Sequence, residues 1–223
     1  MSGTSFVIAL DGPAASGKST VGLGVASRLG LRYFDTGLLY RALSWLALQR
    51  HIELTDAAAL VRLIDDLDVE VDALGNVLRS GRDITPSLHR PEVDLSVSTV
   101  AAHAAVRQAL VPVQRSLVRQ PGIVMAGRDI GTVIVPEAAL KIWLNASAEE
   151  RARRRSQQSG EDYREVLVGM RRRDQLDASR TVAPMTRATD AIVVETDRLA
   201  AEQVIERIVE LAQQRGLQAE QRV

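Results

Sequence analysis

The sequence predicts an α/β domain around a parallel sheet, on three observations. Short apolar runs recur at 6–10, 31–34, 123–126, 140–144 and 191–194. Segments with helical apolar spacing alternate with them, as parallel sheets require. The 223 residues are 46% hydrophobic and 25% charged, enough for one domain of generous size or a core domain with a small insertion.

Residues 6–10 (FVIAL) are apolar throughout, ahead of Asp11 and Gly12. That is the pattern of a strand buried on both faces. Residues 18–29 carry Val21, Val25, Ala26 and Leu29 on one stripe, and Gly30 ends it. After the strand at 31–34, residues 36–51 form a second helix with Leu39, Leu43, Leu46 and Ala47 on one face. Residues 68–84 break the alternation. Period-two patterning around Leu74-Gly75-Asn76 predicts a hairpin in a small β-rich insertion, with helices following across about 87–119. The leading edge is acidic, since 53–72 holds seven Asp/Glu against Arg62 alone. Strands at 123–126, 140–144 and 191–194 and helices at 148–158 and 200–214 complete the alternation. The expected organisation is a single domain, with a core of about 1–60, 120–150 and 184–223, an insertion at about 61–119 and a segment at about 151–180. This last segment carries nine Arg against five Asp/Glu, with Gly160 in a polar run at 157–162. It reads either as a mobile lid or as a solvated pair of charged helices.

Composition excludes several functions. Aromatics are 3%, too few for a base-stacking platform, and the net charge of +0 gives no field to hold nucleic acid or an anionic membrane. There is no cysteine, hence no disulfide scaffold, thiol catalysis or Cys zinc site, and His51, His89 and His103 have no ligand spacing. The N-terminal MSGTSFVIALDG lacks a basic n-region and a long apolar run. The expectation is a cytoplasmic globular protein, monomeric, with small-molecule partners.

Gly12-Pro13-Ala14-Ala15-Ser16-Gly17-Lys18-Ser19 matches G-x-x-x-x-G-K-[ST], with an apolar strand before it and a helix after it. Its glycines turn backbone N–H groups inward to make an anion nest at a helix N-terminus. Lys18 reaches the β/γ phosphates of ATP, and the Ser19 hydroxyl joins the coordination of Mg²⁺. With Thr20, these residues are the expected ATP-binding segment. Lysine occurs only at Lys18 and Lys141 among 28 basic residues. That bias fits a preference for Arg codons, but a lysine kept in the motif marks a place for a compact ammonium. The only asparagines, Asn76 and Asn145, do not begin Asn-Lys-x-Asp, which excludes a GTPase. The run 123–126 ends in Gly127-Arg128-Asp129 rather than paired acids, unlike a motor ATPase. A small-molecule kinase remains.

FDTGLLYRA (34–42), AGRDIGTVIVP (126–136), LKIWLNASAEERARRR (140–155) and RRDQLDASRTVAPM (172–185) closely resemble the bacterial cytidylate kinases, which phosphorylate CMP and dCMP. The resemblance runs from about residue 5 to 215. It implies a P-loop NTPase-type fold: a five-stranded parallel sheet wrapped by helices, an enlarged monophosphate-binding insertion and an Arg-rich lid. It implies that Thr36 meets the cytosine amino group, that Arg107 and Arg180 face the base, and that Ser98 and Asp177 contact ribose hydroxyls. Arg41, Arg128 and Arg173 would hold the acceptor phosphate. Arg151, Arg154 and Arg155 would be lid residues near the transferring phosphoryl. Asp35 and Asp129 would order the Mg²⁺ water shell or orient arginines. Two departures stand out: the lid is short and polar around 157–162, and Ala15 replaces a glycine common in relatives, at a position the motif leaves free.

The implied reaction is ATP + (d)CMP giving ADP + (d)CDP. The acceptor phosphate has a second pKa of about 6 and is largely dianionic at pH 7, so no general base is needed. The alternatives are a P-loop kinase for another small acceptor, such as UMP or shikimate, and a nucleotide-dependent binding protein without transfer.

Overall fold

The computed structural model describes residues 6–72, 74–116 and 122–218. In chain order the elements are β1 (Val7–Asp11), α1 (Lys18–Leu29), β2 (Arg32–Asp35), α2 (Gly37–Gln49), α3 (Ala57–Asp65), β3 (Val69–Val71), β4 (Val77–Arg79) and β5 (Arg82–Asp83). There follow α4 (Thr85–Leu88), α5 (Pro91–Ala102), α6 (Ala104–Ser116), β6 (Ile123–Gly127), a π-helical turn (Ile130–Ile134), β7 (Leu140–Asn145), α7 (Ala148–Ser159), α8 (Tyr163–Ala178), β8 (Ile192–Glu195) and α9 (Ala201–Gln213). A five-stranded sheet has the order β2-β6-β1-β7-β8, and β3-β4-β5 form a separate sheet. By packing, the chain divides into two compact units: Met1–Tyr33 with Val118–Val223, and Phe34–Leu117.

In the first unit, β1 runs parallel to both β6 and β7, and β7 runs parallel to β8. Every residue of β1 is buried, which explains its unbroken apolar run up to the closing aspartate. Helices α1 and α9 pack together over Ile8, Leu10, Ile142 and Leu144 through Val21, Val25, Ile205 and Ile208. Each fully buried aliphatic side chain there stabilises the fold by about 1.5–3 kcal/mol. Gly24 permits the close approach, because a Cβ there would lie 2.3 Å from Ile205 Cδ1. Gly30 closes α1 in the left-handed region and donates its N–H to the last turn.

In the second unit, the hairpin expected around Gly75 is present, but β5 extends it to three antiparallel strands. The extra turn is Ser80-Gly81, with φ of 49° and 72° at consecutive residues. Two positive φ values in a two-residue connection are the hairpin's preferred geometry, though Ser-Gly signals it less clearly than Asn-Gly. Helix α3 has no counterpart among the expected elements. Acidic residues dominate its neighbourhood, yet Asp56 caps it by accepting from Ala59 N at 2.9 Å, and Leu60 and Leu63 bury its inner face. The helices expected across 87–119 are α4, α5 and α6; residues 117–119 lie outside the described residues. Among the described residues no helix is long and apolar enough to cross a membrane.

Candidate functional site

The P-loop leaves β1 at Asp11 and enters α1 at Lys18. Gly12 has φ 153°, and a Cβ on it would lie 2.4 Å from Leu144 O, so only glycine fits at the start of the loop. Gly17 caps α1 in the left-handed region, with φ 94°. No acidic residue lies in the first turn of α1, so its positive end meets no resident carboxylate there. Lys18 is 7% exposed, and its ammonium donates to Gly12 O at 2.9 Å and Pro13 O at 2.6 Å. The ammonium thus sits against the loop's own carbonyls. Ser16 is buried, whereas Ala15, Ser19 and Thr20 are exposed. Ala15 adopts φ 56°, a left-handed conformation that costs a non-glycine residue about 1 kcal/mol.

Asp11 is 6% exposed and accepts from Ile130 N at 2.9 Å and Gly131 N at 2.8 Å. Burial pushes its carboxyl up to about 6; the two backbone hydrogen bonds oppose that shift, the neighbouring Asp129 adds to it and Lys18 reduces it. Asp129 is itself buried and precedes the π-helical turn.

Asp177, on α8, is 4% exposed at its side chain and gathers two arginines. Arg128 Nε donates to its Oδ2 at 3.3 Å, and Arg180 donates to its Oδ1. This brings Arg128, 49 positions away in sequence, to an aspartate that also pairs with Arg180 three residues on. Arg173 lies half-buried one helical turn before Asp177.

The arginines of α7 have distinct environments. Arg151 donates to Ala146 O at 3.1 Å, to Ala14 O of the P-loop at 3.0 Å and to both oxygens of Asp174. Arg154 donates to Glu150 Oε1 at 2.8 Å and to Thr196 O at 2.5 Å. Hydrogen bonds from Arg153 and then Arg154 hold the Glu150 carboxyl below its ordinary range despite partial desolvation. Arg155 faces Glu161 at 3.9 Å on the surface. Gly160 ends α7 in the left-handed region, and Asp162 caps α8 through the N–H groups of Arg164 and Glu165. The basic segment is therefore a helix pair with Gly160 at its joint.

In the second unit, Thr36 is buried at the N-terminus of α2, and Asp35 Oδ1 accepts from Gly37 N at 2.9 Å. Arg41 lies 2.6 Å from Asp94 Oδ1 and donates to Leu88 O at 2.9 Å. Arg107 is 4% exposed, with its guanidinium 5.4 Å from the centroid of the Tyr40 ring. Ser98 is half-buried on α5.

Sequence reasoning missed Asp11, Tyr40, Asp94, Glu150, Asp174 and Thr196 as members of these constellations. Only Asp11 left a signal, as the one polar residue on an apolar strand that feeds the phosphate loop.

The cytidylate kinase family model matches residues 8–214. A cytidylate kinase of Geobacillus sp. is 43% identical over 216 residues, covering 93% of this chain and 96% of that protein. A cytidylate kinase of Herpetosiphon aurantiacus is 47% identical over 220 residues, with 93% and 94% covered. One from Mycobacterium leprae is 42% identical over 225 residues, with 96% and 98% covered. Among solved structures, an uncharacterised protein from Eubacterium ventriosum shares the fold at 10% identity and a TM-score of 0.55, covering 93% of this chain and 98% of its own.

Proposed function

The chain belongs to the cytidylate kinase family, and from that premise we propose that it transfers the γ-phosphoryl group of ATP to CMP and dCMP with Mg²⁺, giving ADP and (d)CDP. The observation that carries this reading is the family match over 8–214, which spans the phosphate loop and every arginine assigned to the acceptor.

Among the described residues no group of three or more His, Asp or Glu forms a metal cage. The exposed hydroxyl of Ser19 fits an ion that keeps several waters and takes its remaining oxygens from the triphosphate. When bound, Mg²⁺ neutralises charge on the β and γ oxygens. Gly12–Thr20 cradles the triphosphate, and Lys18 exchanges its carbonyl partners for phosphate oxygens. Thr36, Arg107 and Arg180 read the cytosine; Ser98 and Asp177 hold the ribose; Arg41, Arg128 and Arg173 hold the acceptor phosphate. Asp129 and Asp35 order water around Mg²⁺ or orient arginines. Arg154 and Arg155, with Arg151, belong to a lid at 151–180 over the donor, and the monophosphate-binding insertion lies at about 61–119. The acceptor is a phosphate dianion, so the protein supplies position and positive charge rather than a base. The protein works as a cytoplasmic monomer.

A coupled ADP-release assay across AMP, CMP, dCMP, UMP and GMP, with and without Mg²⁺, tests the reading. CMP and dCMP should be the best acceptors, and removal of Mg²⁺ should abolish turnover. ATP binding without acceptor-dependent ADP release would instead mark a nucleotide-dependent binding protein. Preference for UMP or a hydroxyl acceptor would mark a different kinase.

A further inference from the structure

The roles above leave one buried carboxylate unused. Asp11 ends β1 and is the only polar side chain on that strand. At 6% exposure a carboxylate is costly unless its oxygens are hydrogen-bonded. Here they are taken by two consecutive backbone amides, Ile130 N at 2.9 Å and Gly131 N at 2.8 Å. Those amides open the π-helical turn, where no preceding turn supplies an acceptor. Glycine at 131 allows the approach, since a Cβ there would lie 3.1 Å from Lys141 Cδ and 3.4 Å from Asp11 Oδ2. The residues before the clamped amides are Arg128 and Asp129. The residue after Asp11 is Gly12, the first of the P-loop. Asp11 is also the register partner of Gly127, so both segments leave the sheet at one level.

Resting on the kinase reading, we infer that Asp11 is a positioning residue for phosphoryl transfer: by clamping the amides of Ile130 and Gly131, it fixes Arg128 and Asp129 relative to the phosphate loop. It touches no reacting atom. Its effect is on distance, and a misplacement of about 1 Å in a transfer site costs on the order of 100-fold in rate. The clamp needs two acceptor oxygens. Asparagine offers one and turns an N–H₂ donor against the other amide. Alanine offers none.

The test compares the full chain with its Asp11→Asn and Asp11→Ala variants. CMP-dependent ADP release gives kcat, equilibrium titration with ATP gives donor affinity, and hydrogen exchange resolves the amides of 128–133. For Asp11→Asn, kcat should fall roughly 10- to 100-fold while ATP affinity stays within about threefold. The amides of Ile130 and Gly131 should exchange faster while β6 stays protected. Asp11→Ala should exceed Asp11→Asn in both effects. A purely structural role would lower the melting temperature without separating kcat from ATP affinity. The inference is overturned if kcat stays within about twofold, if ATP affinity falls in step with kcat, or if exchange at 130 and 131 is unchanged. An Asp11→Asn chain that does not fold also overturns it, because Asp11 is then a folding residue. An unsubstituted chain that releases no ADP with CMP refutes the kinase reading itself, and that result is seen before any substitution is made.

Discussion

Arg151 and Asp174 meet as a two-pronged pair, Nη1 3.2 Å from Oδ1 and Nη2 2.5 Å from Oδ2, while the same guanidinium holds the P-loop carbonyl of Ala14 at 3.0 Å. The Arg151 side chain is 4% exposed and that of Asp174 22%. Removing one partner of a buried pair leaves the other charge unpaired, at a cost of about 3–5 kcal/mol. Asp174→Asn should approach that loss in urea unfolding, because it strands the buried Arg151 guanidinium, and Arg151→Met should leave a smaller unpaired-charge penalty because the remaining Asp174 carboxylate reaches solvent. In a double-mutant cycle the two losses should be strongly non-additive. Additive losses would mean that the pair is not an energetic unit.

Lys18→Met should lower kcat by the equivalent of about 3 kcal/mol or more, the scale of a preorganised charge aimed at a developing one. The melting temperature should change little, because the ammonium's hydrogen bonds to Gly12 O, Pro13 O and Ser16 Oγ are local to the loop rather than part of the apolar core. Lys18→Arg should be almost as damaging, since a planar fork does not fit a pocket shaped for a compact ammonium. Near-normal turnover by Lys18→Met would remove the phosphate role from this loop.

Gly12 and Ala15 should respond oppositely to substitution. Gly12→Ala sets a methyl 2.4 Å from Leu144 O at φ 153°, so the β1–β7 junction must shift, destabilising the fold by roughly 1–3 kcal/mol and weakening ATP binding. Ala15→Gly removes a left-handed strain at φ 56° and should leave ATP affinity within about twofold. Calorimetric titration of both variants with ATP checks the contrast.

The Asp11 carboxyl, raised to about 6 by burial, makes stability depend on pH with a definite sign. The folded chain binds this proton more tightly than the unfolded chain, whose carboxyl titrates near 3.8. The stabilising contribution is therefore complete below about pH 4 and is lost as pH rises through 6, by up to ~3 kcal/mol. Asp11→Asn has no such proton. The stability of the unsubstituted chain minus that of Asp11→Asn, from urea unfolding, should fall between pH 4 and 7 and be flat above. A difference that grows with pH would reverse the assignment.

Base choice separates two arginines. Cytosine presents acceptors at N3 and O2, whereas uracil presents a donor at N3, and arginine can only donate. If Arg180 addresses N3, CMP should be preferred over UMP by roughly 10-fold or more in kcat/KM, the scale of a bidentate base contact. Arg180→Met should shrink that ratio by weakening CMP, whereas Arg41→Met should weaken both pyrimidine nucleotides alike. Equal loss of CMP and UMP in Arg180→Met would move that residue to the phosphate.

The parallel sheet and the P-loop were legible because they rest on local rules. An apolar run, a glycine-bounded turn and a helical stripe each announce themselves within twenty residues. The arginines proposed for the acceptor became legible only through resemblance: Arg180 is three residues from Asp177, but Arg128 reaches Asp177 across 49 positions by tertiary folding that no spacing encodes. Helix α3 stayed hidden because the acidic residues around it masked the spacing of Leu60 and Leu63. The π-helical turn stayed hidden because its first amides bond to Asp11, a partner 119 and 120 positions away. The second lysine, Lys141, serves the fold, with its stem beside Gly131 and its ammonium paired with Asp190 at 2.9 Å.

The shared register of Asp11 and Gly127 has a consequence for which edits of chain length this protein can survive. One residue added within β6 would advance Gly127-Arg128-Asp129 by about 3.3 Å and turn each side chain to the opposite face of the sheet. Hydropathy could be left intact by such an insertion, yet Arg128 would point away from Asp177 and the amides of Ile130 and Gly131 would overshoot the Asp11 carboxylate. The turn at Ser80-Gly81 is exposed and joins β4 to β5 in the other sheet, so extra residues there leave the Asp11–Gly127 register unchanged. That register thus survives a change of length at the hairpin and not one within β1 or β6.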